Sequence, residues 1–168
     1  LWGAGTSRTL RVHWLMAELN LAYEHQKIGP RTGETQTDAF KAINPKGKIP
    51  VLIHGDLVIS ESFAIARYLR RVCPTLHYDE TQLSSEGIAR FDELASFMLM
   101  ELDATSIYIL RRHLDLAAIY GEAPNAVISA KAYFRKMLDE GFTEAELAEF
   151  VWGRRFSELD ILLTTILD

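Results

Sequence analysis

The stretch from Asn44 to Ser62 concentrates the residues best suited to hold a ligand. Asn44-Pro45 and Gly47 mark a turn. Ile49-Pro50 then opens an apolar run, Val51-Leu52-Ile53, which reads as a buried strand. His54-Gly55-Asp56 is a short connection to a second apolar run, Leu57-Val58-Ile59, so the segment predicts a β-hairpin. Ser60-Glu61-Ser62 has the character of a helix start: Ser60 as cap candidate, an acidic first turn, then Phe63, Ala64, Ile65 and Ala66. A proline at the mouth of a strand removes one backbone donor and confines that start to an edge or a bulge. The first N–H groups of a helix lack intrahelical partners and can hold an anion. A strand edge beside such a helix end suits a peptide-like ligand that carries a carboxylate.

The elements around this stretch fall into two kinds. Leu1-Trp2 reads as the end of a strand whose beginning is missing, and Gly3 to Ser7 form a turn. Val12, Leu15, Met16 and Leu19 follow i, i+3, i+4, i+7 spacing, which predicts a helix from about Arg8 to Asn20. Ala22 to Ile28 reads as a second strand, Gly29 to Thr37 as loop, and Asp38 to Ile43 as a short helix. Beyond the hairpin, Ile65, Tyr68, Leu69 and Val72 give another helical stripe. Strand signals vanish from Glu86 onward. Phe91, Leu94, Ala95 and Met98 begin a long helix reaching about Ala118, Tyr120 to Pro124 break it, and Ala126 to Glu140 form the next. Gly141 to Glu146 read as a helix break with a second cap, Thr143 with Glu146, and Ser157 with Asp160 is a capping box before a core helix. The expected organisation is an α/β domain over residues 1–73, a linker over 74–85 and an all-α domain over 86–168. Asp168 ends an apolar periodic segment with no stop signal, so the helical domain is expected to be incomplete at its C-terminus.

With 168 residues, 48% hydrophobic and 24% charged, the chain reads as globular rather than disordered. A net charge of −5 argues against an extended nucleic-acid surface. No apolar run approaches the length of a membrane span. One cysteine, Cys73, excludes an intramolecular disulfide and a zinc–thiolate cluster, and before Pro74 it reads as a small buried residue. The five histidines, His13, His25, His54, His77 and His113, show no metal-ligand spacing, so no metal is expected.

Asn44-Pro45, Gly47 to Leu52 and the later Glu61-Ser62 with Ala64-Ile65 resemble the glutathione-binding half of the cytosolic glutathione transferase superfamily. The opening Leu1 to Arg8 and the late Phe156 to Ile161 resemble family segments as well. Three motifs in the family's order span nearly the whole chain. The resemblance implies a thioredoxin-like N-terminal domain, an all-helical C-terminal domain that helps build an electrophile pocket, and glutathione as co-substrate. It also implies a cytoplasmic homodimer acting on small hydrophobic electrophiles, in a bacterial-type or theta-like serine class.

Carried onto this chain, the family's pattern makes Ser7 the catalytic residue, in the turn before the first helix. A hydroxyl there donates a hydrogen bond to the glutathione sulfur and favours the thiolate, which is the nucleophile. The plain alternative is that Ser7 caps the helix, and Thr6 is the alternate catalytic hydroxyl. Ile49-Pro50 would hold a cis peptide that turns the Ile49 backbone outward, so that the ligand's cysteinyl unit pairs with it as an added strand. Glu61 and Ser62 would take the γ-glutamyl end: the helix start and Ser62 hydroxyl its carboxylate, Glu61 its ammonium. Lys48 is either a partner for the glycyl carboxylate or a solvated turn lysine. Tyr108 and Arg111, beside Arg112 and His113, lie on the helix that faces the electrophile in the family, where a solvated charged face is the default. Two other classes compete with the transferase reading. One is a non-catalytic binding or assembly module on the same fold; the other is a glutathione-dependent isomerase or peroxidase.

Overall fold

Val12, Leu15, Met16 and Leu19 are all buried along one face of the first helix region, as their spacing requires. Helix α1 spans Ser7–Glu18, and its cap is Thr6 rather than Ser7. The Thr6 Oγ1 accepts from the Thr9 amide at 3.0 Å, and the Thr6 amide donates to Thr9 Oγ1 at 3.1 Å. The computed structural model describes residues 1–73, 83–142 and 149–168. The chain divides into two units, Leu1–Asp79 and Glu80–Asp168. Residues 74–82 of the expected linker, and the expected cap pair Thr143 and Glu146, lie outside the described residues.

In the first unit the opening segment lies between two others. Gln26 donates to the Leu1 carbonyl, Gly3 to the Gln26 carbonyl and Ala4 to the Ile28 carbonyl, a parallel pairing with the segment expected as the second strand. On its other side Trp2 pairs antiparallel with Val51 through two backbone hydrogen bonds. Strand β1 (Val51–His54) and strand β2 (Leu57–Ser60) form the expected hairpin, with Val51 opposite Ser60 and His54 opposite Leu57. Helix α2 (Asp38–Ile43) is capped by Thr37, and helix α3 (Ser62–Val72) packs against α1.

Four expectations for this unit are corrected. Ser60 does not cap α3, because it is paired with Val51 in the ladder; the cap position falls to Glu61, whose side chain makes no cap hydrogen bond. Val51 and Leu52 are buried, but Ile53 is 41% and Val58 48% exposed, so the hairpin's tip projects from the core. Val72 is 45% exposed at the end of α3, whereas Ile65, Ala66 and Leu69 are buried. Cys73, just beyond, is half-buried rather than fully enclosed.

Every regular element among the described residues of the second unit is a helix. Helix α4 (Ser85–Phe97) is capped by Ser84 and buries Phe91, Leu94 and Ala95. The expected plain helix to about Ala118 instead continues through wide, π-type turns over Met98–Ile107 and Arg111–Asp115. The wider turn brings residues four and five apart onto one face, so Met98, Leu102, Asp103 and Ser106 are buried together. The Ser106 hydroxyl donates to the Glu101 carbonyl five residues back, which supports that geometry. Gly121, at φ +84°, turns the chain, and Pro124 opens helix α5 (Pro124–Glu140). Helix α5 lies against the π-type stretch, where the Tyr133 hydroxyl donates to the Glu101 carboxylate. Among the described residues no helix is long and apolar enough to cross a membrane.

Helix α6 (Glu158–Leu167) begins with the expected capping box. The Asp160 carboxylate accepts from the Ser157 amide and the Val151 amide, both at 2.7 Å, and from the Ser157 hydroxyl at 3.0 Å. One carboxylate therefore both starts a core helix and ties down the segment before it. Replacing Asp160 by Ala leaves three part-buried donors without their acceptor and is expected to destabilise the full-length protein by about 2–3 kcal/mol in urea unfolding. A loss below about 0.5 kcal/mol, the usual scale of a surface substitution, would contradict this role.

Candidate functional site

Strand directions decide which residues meet in the first unit. The opening segment runs toward Ala4, β1 runs antiparallel to it, and β2 runs antiparallel to β1. The C-terminal end of the first, the entry to β1 and the exit of β2 therefore lie at one end of the sheet. The turn to Ser7, the Ile49-Pro50 bond and the Glu61-Ser62 step all emerge there. Helices α1 and α3 start from the same end, so their free N–H groups face the same region.

The turn before β1 is pinned by Asn44, whose sequence signal is only that of a turn marker. Buried Asn44 donates from its side chain to the Lys48 carbonyl at 2.8 Å and accepts from the Lys46 amide at 3.3 Å. Its carbonyl accepts from the Gly47 amide at 2.9 Å. Gly47 sits at φ +58°, and a Cβ there would lie 2.9 Å from Gln36 Nε2 and 3.1 Å from the Thr35 carbonyl oxygen. This packing delivers Ile49-Pro50, whose peptide bond is cis as the resemblance implied. Neither the Ile49 amide nor its carbonyl has a backbone partner among the described residues.

At the exit of β2, Glu61 adopts φ +73° and ψ +117°, a region that side-chain-bearing residues seldom occupy. Such a backbone costs on the order of 1–3 kcal/mol and is characteristic of ligand clamps. The turn of chain at Glu61 leaves its carboxylate in solvent, 2.7 Å from Lys46 Nζ. Lys46 is thus the lysine that meets the candidate site's acidic residue, while Lys48 is exposed. Both charges of the Lys46–Glu61 pair are largely exposed, so the pair itself contributes little stability. Ser62 is buried at the first position of α3, and no side chain caps that helix.

The two candidate hydroxyls separate clearly. That of Thr6 is taken up by the α1 cap and by a 3.2 Å contact to Thr9 Oγ1. Ser7 is the first residue of the helix and half-buried, outside the cap. Tyr108 and Arg111 belong to the second unit, both half-buried. There Arg112 stacks over Tyr120 at 4.5 Å and over Tyr108 at 5.8 Å, a cluster where the sequence leads one to expect a solvated face. A cavity of about 560 Å³ in the first unit is lined by Met16, Leu52, Ile53, His54, Leu69 and Val72 among others. It adjoins the far end of β1 and includes none of the candidate residues. Among the described residues no group of three or more His, Cys, Asp or Glu side chains is arranged to hold a metal ion.

Thr6→Ala is expected to lower stability by about 1 kcal/mol in chemical unfolding, more than Ser7→Ala does. The reverse order would move the cap from Thr6 to Ser7.

Residues 1–71 match the family model described as the glutathione S-transferase N-terminal domain. The chain is 33% identical over 172 positions to glutathione S-transferase A of Pleuronectes platessa, spanning 96% of this chain and 72% of that protein. It is 29% identical over 112 positions to glutathione S-transferase Z2 of Arabidopsis thaliana, spanning 60% of this chain and 49% of that one. The match thus spans about half the length of the latter relative. A glutathione transferase homolog from Drosophila mojavensis, solved with bound glutathione, superposes with a TM-score of 0.81 at 21% identity. That superposition covers 99% of this chain and 74% of the other, and at such identity it speaks for the fold. A thioredoxin-like N-terminal unit followed by a helical remainder, with these motifs in this order, agrees with each of these likenesses: the chain belongs to the cytosolic glutathione transferase superfamily.

Proposed function

We propose that this protein is a glutathione transferase in which residues 1–73 bind glutathione, 74–85 link, and 86–168 contribute to the electrophile pocket. The observation that carries this reading is the meeting, at one sheet end, of an unpaired Ile49 backbone, an uncapped α3 start and the Ser7 turn. An extended tripeptide with a thiol in its middle unit matches that layout. Its cysteinyl backbone pairs with Ile49 as an added strand. Its γ-glutamyl carboxylate sits at the start of α3 with the Ser62 hydroxyl, where free N–H groups favour an anion. The γ-glutamyl ammonium takes the place of Lys46 beside Glu61, one cation replacing another, and Lys48 lies beside the glycyl carboxylate.

Ser7 then donates its O–H to the sulfur. A hydrogen bond to a charged group contributes about 1.5–3 kcal/mol. One pKa unit corresponds to about 1.36 kcal/mol, so the bound thiol falls one to two units below its ordinary value of about 8.5. The thiol proton leaves to solvent, the thiolate forms a carbon–sulfur bond to a small apolar electrophile, and the displaced group departs with the electron pair. Tyr108 and Arg111 are the proposed electrophile contacts. The enzyme acts as a cytoplasmic homodimer of a serine class. Exposed apolar side chains on the helical unit, Met100, Leu114, Ile119 and Ile128, favour such pairing.

In the full-length protein Ser7→Ala is expected to cut conjugation about tenfold or more while glutathione affinity stays within a few-fold, because the hydroxyl acts on the sulfur rather than anchoring the tripeptide. Glu61→Ala and Ser62→Ala are expected to weaken glutathione binding first, as read by calorimetry. Unchanged affinity in both would remove the γ-glutamyl site from the mechanism. Sedimentation of the full-length protein at micromolar concentration should give a dimer, and a monomer would contradict the proposed assembly.

A further inference from the structure

Gly3 ends the opening strand segment and begins the turn that leads to Ser7, and its surroundings are unusually constrained. It sits at φ +118°, where a Cβ would lie 2.7 Å from Ile49 Cβ and 2.9 Å from Thr9 Cγ2. Its amide is used by the Gln26 carbonyl. Its carbonyl faces two imidazoles from different elements: His13 of α1 and His25 of the neighbouring segment, each with Nε2 at 3.0 Å. A carbonyl oxygen has two lone pairs, so both nitrogens are served at once. The rings themselves lie 4.2 Å apart, centroid to centroid.

The proton positions follow from the Gly3 carbonyl, which can only accept. Tyr23 Oη lies 2.7 Å from His13 Nδ1. With Nε2–H donating to Gly3, the neutral ring accepts the Tyr23 O–H at Nδ1, giving a relay from Tyr23 through His13 to the backbone. Burial holds His13 below the ordinary imidazole value; the Gly3 hydrogen bond pulls it up, and the charge of His25 pushes it down again. The neutral, Nε2-protonated ring is therefore the resident form at neutral pH.

We propose that His13 and His25 are positioning residues: their paired Nε2–H groups clamp the Gly3 carbonyl and so fix the turn that aims the Ser7 hydroxyl. Neither ring touches substrate, and their effect on the thiolate passes through the Gly3–Ser7 backbone, so this part rests on the Ser7 reading above. Turning off the clamp loosens the turn while the Ile49, Glu61 and Ser62 contacts remain.

The test uses the full-length protein with His13→Phe and His25→Phe, which keep a ring but remove the donors, and with His13→Gln and His25→Gln, which restore an N–H. The pKa of the bound glutathione thiol, kcat and glutathione affinity are measured for each. Each Phe variant is expected to raise the thiol pKa by roughly half a unit to one unit and lower kcat about three- to tenfold near neutral pH, with affinity within about twofold. The Gln variants should recover most of the loss, which a purely space-filling role does not predict. Adding His13→Phe to Ser7→Ala should leave the thiol pKa where Ser7→Ala put it. Unchanged thiol pKa and kcat in both folded Phe variants, with Ser7→Ala impaired, overturns the proposal. If Ser7→Ala itself leaves the thiol pKa unchanged, the Ser7 reading fails. The clamp is then decided by hydrogen exchange at the Ala4, Gly5 and Thr6 amides, where at least about tenfold faster local exchange in the Phe variants supports it and unchanged exchange overturns it.

Discussion

Two backbone hydrogen bonds between Trp2 and Val51, at 2.8 and 3.1 Å, are the constraint on which the candidate site depends. They join the first residues of the chain to a strand some fifty positions later and run the two antiparallel. Because β1 also pairs with β2, this one register sets three chain crossings at a single end of the sheet. Ser7, Ile49-Pro50 and Glu61-Ser62 are far apart in sequence and owe their proximity to it. A one-residue slip would turn Trp2 and Val51 to the wrong faces and carry the Ile49 edge away from the α1 start.

Local packing then refines what the register provides. Asn44 ties the turn before the strand to the Lys48 carbonyl, and Gly47 lets that turn lie against Thr35 and Gln36. Thr6 and Thr9 close the end of α1, which leaves Ser7 on the first turn without the burden of capping. The strand pairing of Ser60 and the start of α3 at Ser62 have only Glu61 between them, and the strained Glu61 backbone is the result. The strain places its carboxylate in solvent and leaves the helix start open. Structure and chemistry are coupled here: the same bend that costs stability exposes the groups a charged ligand end would use.

Much of this was legible in the sequence where the signal is local. The hairpin, α2 and the Ser157–Asp160 box emerged at their expected places because turn residues and caps act over a few positions. The α1 face was legible from periodicity alone. What escaped was set by long-range pairing. Ser60 resembles a cap until its partner Val51 is known, and Lys46 carries no signal of its own until Glu61 arrives from fifteen positions away. The π-type turns over Met98–Ile107 leave no sequence mark that a plain amphipathic helix would not also leave, since both place apolar residues at similar spacing. His13 and His25 carry no motif, and their common target is a backbone carbonyl that no residue type announces.

In the proposed binding mode glutathione lies across the sheet end formed by Ser7, Ile49 and Glu61-Ser62. The most direct measurement is a glutathione titration of the full-length protein followed by amide chemical shifts in NMR. The largest changes are expected on Ser7, Ile49, Glu61 and Ser62, with saturation at one ligand per chain. Shifts confined instead to Leu52, His54 and Leu69, around the cavity at the other end of β1, would contradict it.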